Sequence, residues 1–270
     1  KLGLYFSLIF WKNNNLLFIP VYNCPVQLKR LLSKYNEEDF SYYQKILIVD
    51  NCSRDETVKI AKETILKKKF KNFKIIRNKK NYGLGGSHKI AFKYAIDNGF
   101  DYCCVLHGDD QGDLNDLNKV ILKKDFFNFS CLRAGRFKPG SKLIGYSNFR
   151  IFGNNVFRYI YSLLINKKVY DIGAGLAIYK VNDIKKINYE YLVNDMSFDS
   201  FMLLVMDYYQ LKYDFFTVTW KEEDQISNTK LLNTACTILK NLILYKINKK
   251  KFIESFYADK LEELNNDIIL

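Results

Sequence analysis

The run His107-Gly108-Asp109-Asp110-Gln111-Gly112-Asp113 gathers one imidazole, three carboxylates and a carboxamide into seven residues, directly after the apolar stretch 102–106. At the end of a strand, alternate side chains share one side, so His107, Asp109 and Gln111 can converge on a hard divalent cation, Mn2+ or Mg2+, that bridges a diphosphate. A cation held there is a Lewis acid for the charge that develops on a departing nucleotide. The bland alternative is a solvated acidic turn, but a buried strand that ends in three carboxylates calls for a use. His88 and His107 are the only histidines, so a zinc cluster and a Ser–His–Asp hydrolase are both poorly supported.

Other strand ends carry polar groups of their own. Ile46-Leu47-Ile48-Val49 runs into Asp50, whose carboxylate can accept hydrogen bonds from a base or ribose, while Ser53 or Asp55 can cap the helix that follows. The first apolar strand ends in Pro20-Val21-Tyr22-Asn23. A third leads into Asn81-Tyr82-Gly83-Leu84-Gly85-Gly86, where glycines would let backbone N–H groups approach a phosphate at the positive end of a helix. The spacing is neither the dinucleotide nor the P-loop pattern. A glycine-rich turn with no ligand accounts for it equally well.

These residues need elements to position them. Short apolar strands at about 16–19, 46–49, 73–76 and 102–106 alternate with helices at about 26–35, 56–69 and 87–98, whose apolar residues recur at three and four. Repeated strand–helix–strand units predict an α/β fold with a mostly parallel sheet. Ligands of such sheets sit beyond the carboxyl ends of the strands, where all of these polar residues fall. Beyond residue 130 the pattern fades into a basic stretch (133–158), a helix to about Lys168, a strand near 175–179, a helix near 198–209 and a strand near 215–220. Residues 230–247 predict an amphipathic helix, with lysines following it. The expected organisation is an N-terminal apolar segment (1–14), one catalytic domain (15–229) and a C-terminal helix with a basic tail (230–270).

Composition narrows the partners. Forty-two basic against twenty-nine acidic side chains, a net charge of +13, point to a phosphorylated substrate, a lipid surface or nucleic acid. No recognition helix or RNA-binding aromatic motif supports nucleic acid, which is not expected as a partner. The six cysteines contain no C-x-x-C pair, which suits a reducing, cytoplasmic setting. The apolar run 2–11 is about half the roughly 20 residues of a membrane span and has no cleavage site, so neither a transmembrane helix nor a secretory signal is expected.

In this order and spacing, PVYN (20–23), VDNCSRDET (49–57), NYGLGG (81–86) and LHGDDQ (106–111) resemble glycosyltransferase family 2 over about residues 16–230. More narrowly, the set is similar to the polyprenyl- and dolichyl-phosphate sugar synthases and their bacterial relatives. The resemblance implies a Rossmann-like GT-A nucleotide-sugar-binding fold, with a central mostly parallel sheet flanked by helices. It also implies that Pro20, Tyr22, Asn23, Asp50, Asn81, Gly83, Gly86 and Asp109 contact the nucleotide sugar. The family's metal-binding D-x-D falls on His107 and Asp109, with Gln111 following; His107 replaces the first Asp, and Asp109 is the surer ligand and catalytic group. Ala134-Gly135-Arg136 resembles the family's G-S-R step, and Arg150 and Ser227 resemble later positions that would suit a diphosphate or an acceptor phosphate. Tyr170 to Gly175 resembles a segment near the sugar and acceptor. Asp195-Met196-Ser197-Phe198-Asp199 resembles the acidic segment that opens an acceptor-side helix, which makes Asp195 and Asp199 candidate bases. Phe201 stands where relatives often carry Glu.

That last departure bears on the acceptor. A hydroxyl needs a general base within reach of its proton. A phosphate monoester, with a second pKa of about 6, is largely dianionic at neutral pH and needs none. The resemblance therefore favours inverting, metal-assisted transfer from a UDP- or GDP-sugar to a polyprenyl phosphate. The expected enzyme is cytoplasmic and peripheral at the cytoplasmic face of a membrane; its C-terminal helix either rests on an anionic surface or packs on the core with its lysines in water. The alternatives are transfer to a hydroxyl of a cell-surface polysaccharide or lipopolysaccharide and, from another class, a non-catalytic nucleotide-sugar-binding module.

Overall fold

A computed structural model describes residues 14–224, 231–257 and 263–270. Its first half is built by strand–helix alternation: β1 (Asn15–Val21), α1 (Pro25–Lys34), β2 (Lys45–Asp50), α2 (Thr57–Lys68), β3 (Phe73–Asn78), α3 (Gly83–Asp97) and β4 (Tyr102–Leu106). β2 and β4 flank β1, β3 lies outside β2, and all four run parallel. β1 and β4 are buried at every residue. Their alternate side chains feed opposite faces: Leu16 and Phe18 join one apolar core, Leu17 and Ile19 the other. Strands covered on both faces read as continuous apolar runs, which is what made them legible.

The second half continues with α4 (Leu114–Lys123), β5 (Cys131–Ala134), β6 (Lys142–Ile144), α5 (Asn148–Ile165), β7 (Leu176–Lys180) and the short α6 (Val181–Ile184). It ends with α7 (Phe198–Tyr208), β8 (Tyr213–Phe216), β9 (Thr219–Lys221), α8 (Leu231–Ile247), α9 (Lys249–Tyr257) and β10 (Asn266–Ile268). The main sheet has the order β10-β3-β2-β1-β4-β7-β5-β8, and β6 and β9 form a separate parallel pair. β7 runs antiparallel between β4 and β5, and β8 joins β5 in parallel. The single strand expected near 215–220 is two, because the chain leaves the main sheet after Phe216 and joins β6 from Thr219.

Asp113 caps α4 by accepting the Asn115 N–H at 2.9 Å. The third carboxylate of the acidic stretch is thus a helix cap, held further by Lys34 at 2.8 Å and the Tyr35 hydroxyl at 2.9 Å. All six cysteines are free thiols, and four of them are buried. No described helix is long and apolar enough to cross a membrane. The N-terminal apolar segment lies outside the described residues except for Asn14.

Candidate active site

The carboxyl ends of β1, β2 and β4 are laced together by main-chain bonds. The Pro20 carbonyl accepts the Gly108 N–H at 3.1 Å, and the Val21 carbonyl accepts the Asn51 N–H at 2.9 Å. Gly108 admits this approach, since a Cβ there would fall 2.4 Å from the Val21 side chain. Tyr22 is half-buried just beyond the strand. Asn23 follows in the left-handed region, at φ 48°, which Asn tolerates. Its N–H donates to Ser53 Oγ and its Oδ1 accepts the Arg54 N–H, each at 2.9 Å.

Asp50 is fully buried at the end of β2. Its carboxylate accepts the Ser53 N–H at 3.1 Å and lies 3.3 Å from Arg77 Nε. Burial holds its pKa above the ordinary carboxylate value, with the Ser53 hydrogen bonds and the Arg77 charge acting against it. Beside it, Asn51 ties three elements together. Its Oδ1 accepts from Asn78 Nδ2 at 3.0 Å and from the Tyr82 N–H at 2.9 Å. Its Nδ2 donates to Asn81 Oδ1 at 2.7 Å, and that oxygen also accepts the Gly83 N–H at 2.8 Å.

The glycines at the start of α3 answer a packing demand. A Cβ on Gly83 would lie 2.2 Å from the Asn194 carbonyl oxygen, one on Gly85 would lie 2.1 Å from that of Val193, and one on Gly86 would meet the Tyr82 Cβ at 2.4 Å. The Gly85 and Gly86 N–H groups donate to the Asn194 carbonyl at 2.7 and 3.3 Å, so these amides are engaged within the protein.

At the end of β4, His107 N–H donates to the Gly175 carbonyl at 3.0 Å, and the ring fills the space that a side chain at 175 would take. His107 Nε2 is buried and has no hydrogen-bond partner among the described residues. Asp109 accepts the Gln111 N–H at 3.2 Å. Burial raises its pKa, with His107 the leading influence in the other direction. Asp110 takes a left-handed backbone, at φ 59°, and its carboxylate pairs with Arg30, which also holds Asp224 through two bonds at 3.0 and 3.1 Å. The Gln111 carbonyl accepts the Lys221 N–H at 2.9 Å, which pins the loop to β9.

An orphaned buried imidazole nitrogen, with a carboxylate and a carboxamide two and four residues further along the chain, fits a divalent cation that takes mixed nitrogen and oxygen donors. Among the described residues no three His, Cys, Asp or Glu side chains form a metal-ligand group. His107, Asp109 and Gln111 would therefore supply part of the coordination, and a diphosphate and water the rest.

Two buried ion pairs touch the 171–175 segment, whose Gly175 packs on His107. Arg133, in the middle of β5, is among the largest fully buried side chains and reaches Asp199 of α7 at 3.2 Å. Arg136 makes a bidentate pair with Asp171, both bonds 2.7 Å, donates to the Gly173 carbonyl at 2.9 Å and to the Tyr146 hydroxyl at 3.0 Å, and lies 5.1 Å over the Trp220 ring. Burial alone would raise the Asp171 carboxyl, but the Arg136 charge and hydrogen bonds bring it below the ordinary value. Residues 171–175 thus thread between Arg136, Asp199 and His107. Arg150 pairs with Glu222 and faces the Tyr146 ring at 5.2 Å. Asp195 is exposed and accepts the Ser197 N–H at 2.8 Å. Ser227 lies outside the described residues.

The fold has counterparts among known proteins. A mannosyltransferase from Pyrobaculum calidifontis, solved in complex with GDP-Man and Mn2+, superposes with a TM-score of 0.57 at 12% identity, covering 91% of this chain and 73% of the other. Glucosyl-3-phosphoglycerate synthase of M. tuberculosis gives a TM-score of 0.61 at 8% identity, covering 86% and 80%. At such identities the likeness establishes the fold, which is the GT-A fold. In sequence, a dolichyl-phosphate beta-glucosyltransferase of Dictyostelium discoideum is 26% identical over 109 residues, 38% of this chain and 32% of that relative. The match thus spans about a third of the curated relative's length. The sequence profile of glycosyl transferase family 2 matches residues 17–187, which run from β1 past β7 and include Asp50, His107, Asp109 and Arg136. The chain belongs to glycosyl transferase family 2.

Proposed function

We propose that the protein transfers a sugar from a UDP- or GDP-sugar to a polyprenyl phosphate, with inversion. The observation that carries the choice of acceptor is the Arg133–Asp199 pair at 3.2 Å. A general base must reach the proton it takes, and this buried carboxylate is turned onto a guanidinium instead. The position two residues on holds Phe201, buried and stacked on Phe252 at 5.7 Å. Asp195 remains, exposed at the mouth of α7. A phosphate nucleophile asks for no base, and fits this arrangement better than a hydroxyl. The name of the Dictyostelium relative supports the same acceptor class.

In this reading Asp50 and Asn81 hold the base and ribose, with Pro20, Tyr22 and Asn23 forming the floor, and Gly83 and Gly86 shaping the wall through close packing. His107, Asp109 and Gln111 would hold Mn2+ or Mg2+. When bound, that cation supplies Lewis-acid stabilisation of charge on the departing diphosphate. Arg150, on leaving Glu222, and Ser227 would meet the acceptor phosphate, and Arg136 fixes the 171–175 segment. The enzyme works as a peripheral protein at the cytoplasmic face of a membrane. α8 takes part: Ile238, Leu242 and Tyr245 pack on the core, while Leu239, Ile243, Leu244 and Ile247 remain exposed.

Incubation with radiolabelled nucleotide sugars, polyprenyl phosphate and Mn2+ tests this reading. Label should pass into the organic phase and fail to do so for Asp109→Ala. Label appearing only in a water-soluble glycan would overturn the acceptor. Absence of transfer together with intact metal-dependent UDP or GDP binding by calorimetry would favour a binding module.

A further inference from the structure

We propose that the outward face of α5 is a docking surface for an anionic lipid bilayer. Phe149, Phe152, Val156, Tyr159 and Leu163 recur at steps of three and four along this helix, and all are exposed: Phe149 by 80%, Phe152 by 68% and Leu163 by 79%. Only Tyr161 and Ile165 of α5 are buried. A helix normally turns its apolar stripe to the core. Here a second stripe faces outward, and a contiguous apolar row of this kind marks an interaction site.

Charge selects the occupant. Residues 126–170 contain eight Lys or Arg and no Asp or Glu. Arg133, Arg136 and Arg150 are paired with Asp199, Asp171 and Glu222, whereas Arg158 on α5 and Lys168 just beyond it form no ion pair among the described residues. The Arg158 guanidinium lies 4.5 Å over the exposed Tyr159 ring, an amphipathic pairing suited to the headgroup layer. A second copy of the chain is a poor occupant, because a two-fold contact would set the cations of one α5 against those of the other, and α5 carries no carboxylate of its own to meet them. Nucleic acid has little use for Val156 and Leu163. An anionic bilayer satisfies both halves of the surface, apolar side chains in the acyl boundary and cations among the headgroups. α5 touches α8, and neither helix contains an acidic residue.

This inference rests on the lipid-phosphate reading only in expecting a membrane nearby, and the test separates the two. The full chain is sedimented with vesicles of equimolar phosphatidylcholine and phosphatidylglycerol, and with pure phosphatidylcholine. The wild type should bind the anionic vesicles and lose them at high salt. Phe149→Ser/Phe152→Ser should lower partitioning roughly tenfold, while UDP binding and transfer to detergent-dispersed polyprenyl phosphate persist. Leu66→Ser, at an exposed position on α2, should partition like the wild type. Unchanged partitioning of the double variant overturns the proposal, as does a concentration-dependent dimer that the same substitutions dissolve. Normal vesicle binding without lipid-phosphate transfer would sink the acceptor reading and leave the docking surface standing.

Discussion

The His107 ring occupies the place of a side chain at position 175: a Cβ built on Gly175 falls 2.4 Å from His107 Cγ and 2.5 Å from Nδ1. The end of β4 and the entry to β7 are therefore shaped to each other at the point where a metal ligand is expected. Close packing of this kind leaves no slack for a methyl group.

Gly175→Ala must rotate His107 or push β7 outward, at a cost of about 1–3 kcal/mol. We expect a lower thermal midpoint together with weakened Mn2+-dependent UDP binding, read by calorimetry. Gly153→Ala, at a helix position where nothing lies within 4 Å, should keep both properties. Equal behaviour of the two variants would mean that Gly175 holds nothing in register.

Arg133→Met leaves the Asp199 carboxylate buried without its cation, and should cost about 3–5 kcal/mol of unfolding free energy. Arg133→Met/Asp199→Leu removes both charges and should recover most of that loss in denaturant unfolding. If the double variant is as unstable as the single one, the pair is not the source of the cost.

His88 packs against Phe198 at 4.7 Å and Phe18 at 5.1 Å, with Nδ1 3.0 Å from the Leu84 carbonyl, so Nδ1 carries the proton of a neutral ring. Burial lowers its pKa from 6.5 to about 4. The unfolded chain therefore binds the proton first, and stability falls as pH drops from 6.5 toward about 4. The full effect is about 3 kcal/mol. His88→Phe should flatten the pH dependence of unfolding in that window; an unchanged slope would assign it to other groups. Asp109, whose pKa is raised, acts in the opposite sense and is common to both proteins.

β1, β2 and β4 were readable because each is a buried apolar run, and Asp50 and the 107–111 run fall where two of them stop. β5 was not readable, since Arg133 interrupts a strand of four residues and its partner Asp199 lies on a distant helix. β6, β9 and β10 have three residues each, too few for a period to register. Asp113 carries two meanings in sequence, site carboxylate and helix cap, and only the Asn115 N–H at 2.9 Å decides between them. The bidentate partner of Arg136 is Asp171, 35 positions on, and no spacing rule joins them. A fully buried arginine does leave one signal, a cation inside an apolar run, which calls for a carboxylate elsewhere in the chain.

β10 lies antiparallel on β3, with Asn266 opposite Asn78, and the Asn265 N–H donates to the Tyr82 hydroxyl at 2.9 Å. Tyr82 also opens α3 beside the Asn51 network, so the stretch that closes the sheet edge touches the frame of the nucleotide site. During synthesis β3 emerges early and β10 late. Until that late stretch arrives, β3 presents unpaired main-chain groups to any extended segment nearby. The vulnerable period of this protein is thus set by the order of its folding, and chaperone dependence should centre on the chain with β3 formed and β10 still to come.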